Sequence, residues 1–146
     1  MKKKRVFPVA LLFMLAILFS GCGNETTPVQ AESIDVDLTK LSSTMVYSEV
    51  YNMMTTPDDY MDKMVKMKGA FAVYHDDATG KNYFACIIAD ATACCSQGLE
   101  FVLKEEKDYP DGYPKTGDPI TVTGTFSTYE EGSTTYCQLV DAVLES

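Results

Sequence analysis

Hydrophobic positions fall into three regimes along the chain. From Val6 to Phe19 they are continuous, interrupted only by Pro8. Residues 23–33 (GNETTPVQAES) carry almost nothing to bury. From Leu41 onward they become periodic. Leu41, Met45, Val50, Met53 and Met54 recur at helical spacing, with Ser42, Ser43 or Thr44 available as N-cap, and Pro57 ends the run. Pro57 also suits the first position of a further single turn, with Asp58 and Asp59 at its positive end.

The period then drops from 3.6 to 2. Val65, Met67, Phe71 and Val73 alternate with Lys66, Lys68, Ala70 and Ala72, which predicts a first strand with Gly69 in its middle. Residues 76–81 (DDATGK) predict a turn, and residues 82–89 a second strand, so the pair reads as a hairpin. Residues 90–96 form a small-residue loop or turn of helix. A third strand is predicted over 97–103, with Leu99, Phe101 and Leu103 on one face. Residues 104–118 predict a long loop carrying Tyr109-Pro110 and Tyr113-Pro114. Fourth and fifth strands follow at 120–129 and 134–144, around a turn at 130–133.

Two stretches echo each other. VKMKGAFAVY (65–74) and ITVTGTFSTY (120–129) share apolar-x-apolar-x-Gly-x-Phe-x-x-Tyr, pairing Gly69 with Gly124, Phe71 with Phe126 and Tyr74 with Tyr129. Each leads through an acidic, Gly-containing turn to a strand bearing Tyr and Cys: Tyr83 and Cys86, then Tyr136 and Cys137. Glycine weakens a strand unless a bulge or sharp bend is wanted, so two such glycines in long strands point to a small barrel. The strand order and mid-strand glycines resemble the oligonucleotide/oligosaccharide-binding (OB) fold, as do the run from Tyr60 to Gly69 and the run from Thr116 to Gly124. The resemblance covers residues 41–146. It implies a mainly β fold, a five-stranded OB-like Greek-key barrel, here with an N-terminal amphipathic helix. The helix that the fold usually carries between its third and fourth strands is replaced by the Pro-Tyr loop.

The continuous apolar run is an address. Lys2, Lys3, Lys4 and Arg5 precede 14 apolar positions, too few for a permanent bilayer span and suited to a signal segment. The run ends in Leu18-Phe19-Ser20-Gly21-Cys22, which resembles the bacterial lipoprotein lipobox. That resemblance implies diacylglycerol on Cys22, cleavage after Gly21, and anchorage at the extracytoplasmic face of the cell membrane. The expected division is a signal peptide over 1–21, a lipidated cysteine and tether over 22–40, and the OB-like domain over 41–146.

Composition changes the picture through charge. The whole chain carries 12 basic and 21 acidic residues, a net of −9. Loss of residues 1–21 removes four basic and no acidic residues, leaving 8 against 21, a net of −13. Such a balance opposes nucleic-acid binding, which relies on Lys and Arg.

Four cysteines remain beyond Cys22: Cys86, Cys94, Cys95 and Cys137. Outside the membrane they are free to pair, and adjacent Cys94 and Cys95 are better placed to bridge outward to Cys86 and Cys137 than to each other. A second arrangement is a zinc site of these thiolates with His75, and a third is reduced structural thiols. The acidic doublets lack the alternating oxygen ligands of a calcium loop and read as solvating charges. Six methionines between Met45 and Met67 read as core fillers. Tyr74, Tyr109, Tyr113 and Tyr129 are the candidate ligand-binding residues, because OB barrels bind across their first three strands and adjacent loops. No nucleophile triad, phosphate loop or metalloprotease motif is present. The sequence therefore reads as a non-enzymatic binding module at the membrane surface, for a small ligand or an envelope protein partner such as a transporter. Metal or thiol-redox handling through the four cysteines is the alternative, and nucleic-acid binding a weaker one.

Overall fold

The change of period near Met64 is where the sheet begins in earnest. The computed structural model describes residues 33–145 apart from 91, 93 and 94. The lipobox, Cys22, most of the tether and Cys94 lie outside the described residues. Each expected strand is present: β2 (Met64–Asp76), β3 (Lys81–Ala89), β4 (Ser96–Leu103), β5 (Pro119–Glu131) and β6 (Thr134–Glu145). They are preceded by a two-residue strand, β1 (Val36–Asp37), and by α1 (Ser43–Thr55), the one α-helix among the described residues.

Ordered structure begins ahead of Leu41, where the domain was expected to start. β1 runs parallel to β2, pairing Val36 with Val65 and Asp37 with Lys66. The Asp35 amide donates to the Met64 carbonyl, and its carboxylate accepts from the Met64 amide, both at 2.9 Å. Leu38, in the short 3-10 helix Leu38–Lys40, is fully buried in the core. The folded unit thus takes in residues assigned from sequence to the tether. The sequence signal is the alternation of Ile34, Val36 and Leu38 with Asp35 and Asp37, a short period of two.

The sheet is mixed and six-stranded, in the order β1-β2-β3-β4-β6-β5, with β5 pairing back onto β2. Closure is uneven. The β2–β5 ladder runs over seven registered pairs, whereas the parallel β4–β6 seam has three, with a register shift between Phe101 and Leu103. β2 serves both sides of the sheet: Met64 to Ala70 face β5, and Ala70 to Asp76 face β3. Gly69 stands at the crossing. A Cβ there would lie 2.3 Å from the Ile87 carbonyl oxygen and 2.8 Å from Cys86 Sγ, so no larger residue fits without displacing β3. Its echo, Gly124, stands where β5 and β6 slip register between Thr123 and Thr125. Opposite it, Asp141 adopts a φ of 50°, a left-handed conformation that Asp tolerates.

Every fully buried side chain among the described residues is apolar. Phe71, Phe101, Phe126, Leu99, Leu139, Val65, Met67 and Val122 fill the interior from the strands. Each such side chain contributes about 1.5–3 kcal/mol by leaving water. α1 adds Val50 and Met53, with Val46 and Tyr47 partly buried beside them. The buried stripe is therefore Val46, Val50 and Met53, at i, i+4 and i+7. Met45 and Met54, expected on that stripe, are 55% and 46% exposed. Met53 and Met67 do fill the core, as expected of methionine there. α1 packs against β3, β4 and β6, and the Cys137 thiol reaches the Met53 carbonyl at 3.7 Å. The Pro-Tyr loop covers a different part of the interior: Tyr113 stacks on both Phe71 and Phe84.

Candidate ligand-binding groove

The two echoed hairpins are the walls of one groove. In the first, Tyr74 on β2 pairs with Tyr83 on β3, ring centroids 6.3 Å apart. In the second, Tyr129 on β5 pairs with Tyr136 on β6 at 5.3 Å, the rings 17° from parallel. Alternation places each pair on the outer face, because Phe84 and Cys137, the next residues along, turn inward to the core. The sequence echo thus builds the same outward tyrosine pair twice.

Hydrogen bonds tie the arms to each other and to β4. The Tyr129 hydroxyl donates to Glu100 Oε2 on β4 at 2.8 Å, and the Tyr83 hydroxyl donates to Glu131 Oε1 at the end of β5 at 3.0 Å. Burial first, and the bond to Glu100 next, push the Tyr129 hydroxyl well above its ordinary 10.0, so it stays a proton donor at neutral pH. Tyr83 is raised in the same sense by desolvation and by Glu131. The Lys81 ammonium lies 4.3 Å from the Tyr83 centroid and 5.9 Å from that of Tyr129.

Between the arms is a groove of about 960 Å3, running over β3 and β4 to the Pro-Tyr loop. Tyr83, Glu100, Tyr129 and Gln138 line one part of it, and Phe84, Tyr109 and Tyr113 another. Phe84 and Tyr113 stack face to face at 4.0 Å, with Tyr109 tilted 5.6 Å from Phe84. Three of the four tyrosines expected from sequence, Tyr109, Tyr113 and Tyr129, therefore line a single groove. Tyr74, 67% exposed, stands outside that lining beside Tyr83. Lys81, Glu100 and Gln138 were not singled out from sequence. The signal that finds Tyr83 and Tyr136 is the echo itself.

The thiols and histidine do not gather here. His75 is on the β2–β3 hairpin, with Nδ1 2.8 Å from Asn82 Oδ1 and Nε2 3.7 Å from Asp77. Cys86 is a free thiol in the core beneath Gly69, and burial pushes it up to about 12. Cys137 is also a free thiol, half-buried against α1 and raised by burial first and by Glu100 next. Cys95 is exposed at the start of β4, on the loop whose Cys94 is outside the described residues. Among the described residues no three His, Cys, Asp or Glu side chains converge on one point.

Neither a protein-family model nor a curated protein matches this sequence. Among solved structures the chain is similar to a "putative nucleic acid-binding lipoprotein" from Klebsiella pneumoniae subsp. pneumoniae MGH 78578. The identity is 18% and the TM-score 0.40, over 66% of this chain and 81% of that one. A likeness of that degree assigns nothing to the groove, whose reading rests on its own side chains.

Proposed function

We propose that the chain is a lipid-anchored, extracytoplasmic binding module of the OB type, which holds a small ligand in the tyrosine-walled groove and catalyses no reaction. The observation that carries this reading is the Tyr83–Glu131 bond that joins the two arms over one cavity, with Tyr129 bound to Glu100 on its floor. Bonds between strands that are not ladder neighbours hold the walls at a fixed separation, and that pre-organisation lowers the ordering cost of binding. A volume of about 960 Å3 is at the upper end for small-molecule sites.

Strand order supports the OB assignment. β2, β3, β4, β6 and β5 take the places of the five barrel strands, with β5 returning to β2 and a thin seam leaving the ring partly open. The groove then lies on the face of the second and third barrel strands, flanked by the first and last hairpin turns, where such barrels take ligands. The basic n-region, the apolar run and Gly21-Cys22 support the lipid anchor. The acidic balance opposes a polyanionic ligand, and the burial of Cys86 opposes thiol-redox handling through that residue.

A small-molecule library screened by thermal shift against the wild-type chain and a Tyr83→Leu/Tyr129→Leu variant tests the binding reading. Ligands that raise the wild-type melting temperature and fail to raise that of the folded variant are the expected result. Hits that stabilise both equally contradict it. The anchor is tested separately: Cys22→Ser abolishes membrane retention of the processed protein, and unchanged retention overturns that part.

A further inference from the structure

Lys81 opens β3, and its ammonium leaves the hairpin to sit between the rings of Tyr83 and Tyr129. Among the described residues it makes no ion pair within 4.0 Å, although Glu131 and Glu100 hold the hydroxyls of those same two rings. The ammonium thus lies over aromatic faces and outside ion-pair distance of those carboxylates. The negative face of a tyrosine ring attracts an ammonium, and more so where the hydroxyl donates to a carboxylate and enriches the ring. A fixed pair of such rings, one from each hairpin, is a cation seat built into the groove.

We infer that the space between Tyr83 and Tyr129 is a recognition site for a small organic ammonium ligand, and that Lys81 fills it as an internal stand-in until the ligand displaces it. This deepens the binding reading above and rests on it. Three observations carry it. The seat already holds an ammonium of the chain's own. Along the groove, Glu100, Glu106 and Asp108 outnumber Lys81 and Lys107, and Glu131 adds a carboxylate at Tyr83, so the site's field favours a cation. The volume suits a small molecule and leaves space beside Gln138 and Asn82 for polar groups of its body. Lys81 is a fit occupant for displacement, because a long side chain regains rotamer freedom on leaving.

The test is a set of NMR titrations of the folded chain at constant ionic strength, with tetramethylammonium, spermidine, maltotriose and inorganic phosphate as probes. Saturable shifts of the Tyr83 and Tyr129 ring resonances with tetramethylammonium or spermidine are expected, and none with phosphate. The two cations distinguish a quaternary from a primary ammonium. Lys81→Ala, at an exposed position, is expected to bind the cation about two- to fivefold more tightly by removing the stand-in. Tyr129→Phe keeps the ring but loses the bond to Glu100 and is expected to bind more weakly, whereas Tyr129→Leu, confirmed folded by circular dichroism, loses binding. If maltotriose saturates the groove resonances and neither cation does, the ammonium inference falls while the groove stands. If no probe moves them, the inference falls and the groove loses its support from cation binding. Unchanged or weaker cation binding by Lys81→Ala overturns the stand-in role.

Discussion

Tyr129 on β5 donates its hydroxyl to Glu100 on β4 at 2.8 Å, reaching across β6, which lies between those strands in the sheet. The bond joins the second hairpin to the groove floor and fixes the ring that faces Lys81. A double-mutant cycle with Tyr129→Phe and Glu100→Gln is expected to give a coupling of about 1 kcal/mol by urea unfolding. Additive effects of the two substitutions would remove the bond from the account of how the groove is held open.

Gly69 carries the strand crossing. Alanine there drives a methyl group into the Ile87 carbonyl and Cys86, at an expected cost of about 2–3 kcal/mol. Gly124→Ala meets its nearest backbone atom at 2.9 Å and is expected to cost less. Chemical denaturation of both variants checks the order, and equal stabilities would contradict the crossing geometry.

The segment from Asp35 to Leu38 belongs to the fold. Leu38→Ala is expected to destabilise by about 2–4 kcal/mol, as for a buried leucine in a packed core. A chain beginning at residue 41 is expected to melt lower than one beginning at residue 33, since it also loses the β1–β2 pairing. Matching melting temperatures would restore the boundary at Leu41.

Alkaline titration reads the partly buried phenols. Burial and the bond to Glu49 push Tyr60 up to about 12, and Tyr83, Tyr113 and Tyr129 are raised in the same direction. A raised folded-state value means that the unfolded chain releases these protons first. The stabilisation they give is complete below about 10, and it falls as pH rises from there toward 12 and beyond. Phenolate absorbance is expected to rise in two stages, the late stage coinciding with unfolding by circular dichroism. A single stage near the ordinary value, with the fold intact, would contradict the burial and the hydroxyl bonds.

Much of this architecture was legible from period alone. All five long strands and the helix follow from alternation and helical spacing, and the echo of Gly69 with Gly124 marks the strand crossing in β2 and the register slip between β5 and β6. What was hidden depends on contacts between distant segments. β1 is two residues long, held by its pairing with Val65 and Lys66, and the alternation of Ile34, Val36 and Leu38 that marks it is short. The inner face of α1 was misjudged because methionine suits core and surface alike, and packing against the sheet chose Met53 over Met45 and Met54. In the groove, tyrosine count and the OB resemblance pointed to Tyr109, Tyr113 and Tyr129. Lys81, the last residue of the expected turn, and Glu100, in the expected third strand, carry no signal of their own until the two hairpins are placed face to face.

The central claim is that the outer face between the two hairpins is the ligand site. An amide chemical-shift map of the folded chain, taken with whichever ligand the thermal-shift screen returns, tests it most directly. The account predicts perturbations concentrated at Lys81, Tyr83, Glu100, Phe101 and Tyr129. Perturbations concentrated instead on the exposed side of α1 around Tyr51 and Met54, with the groove amides unmoved, would contradict it.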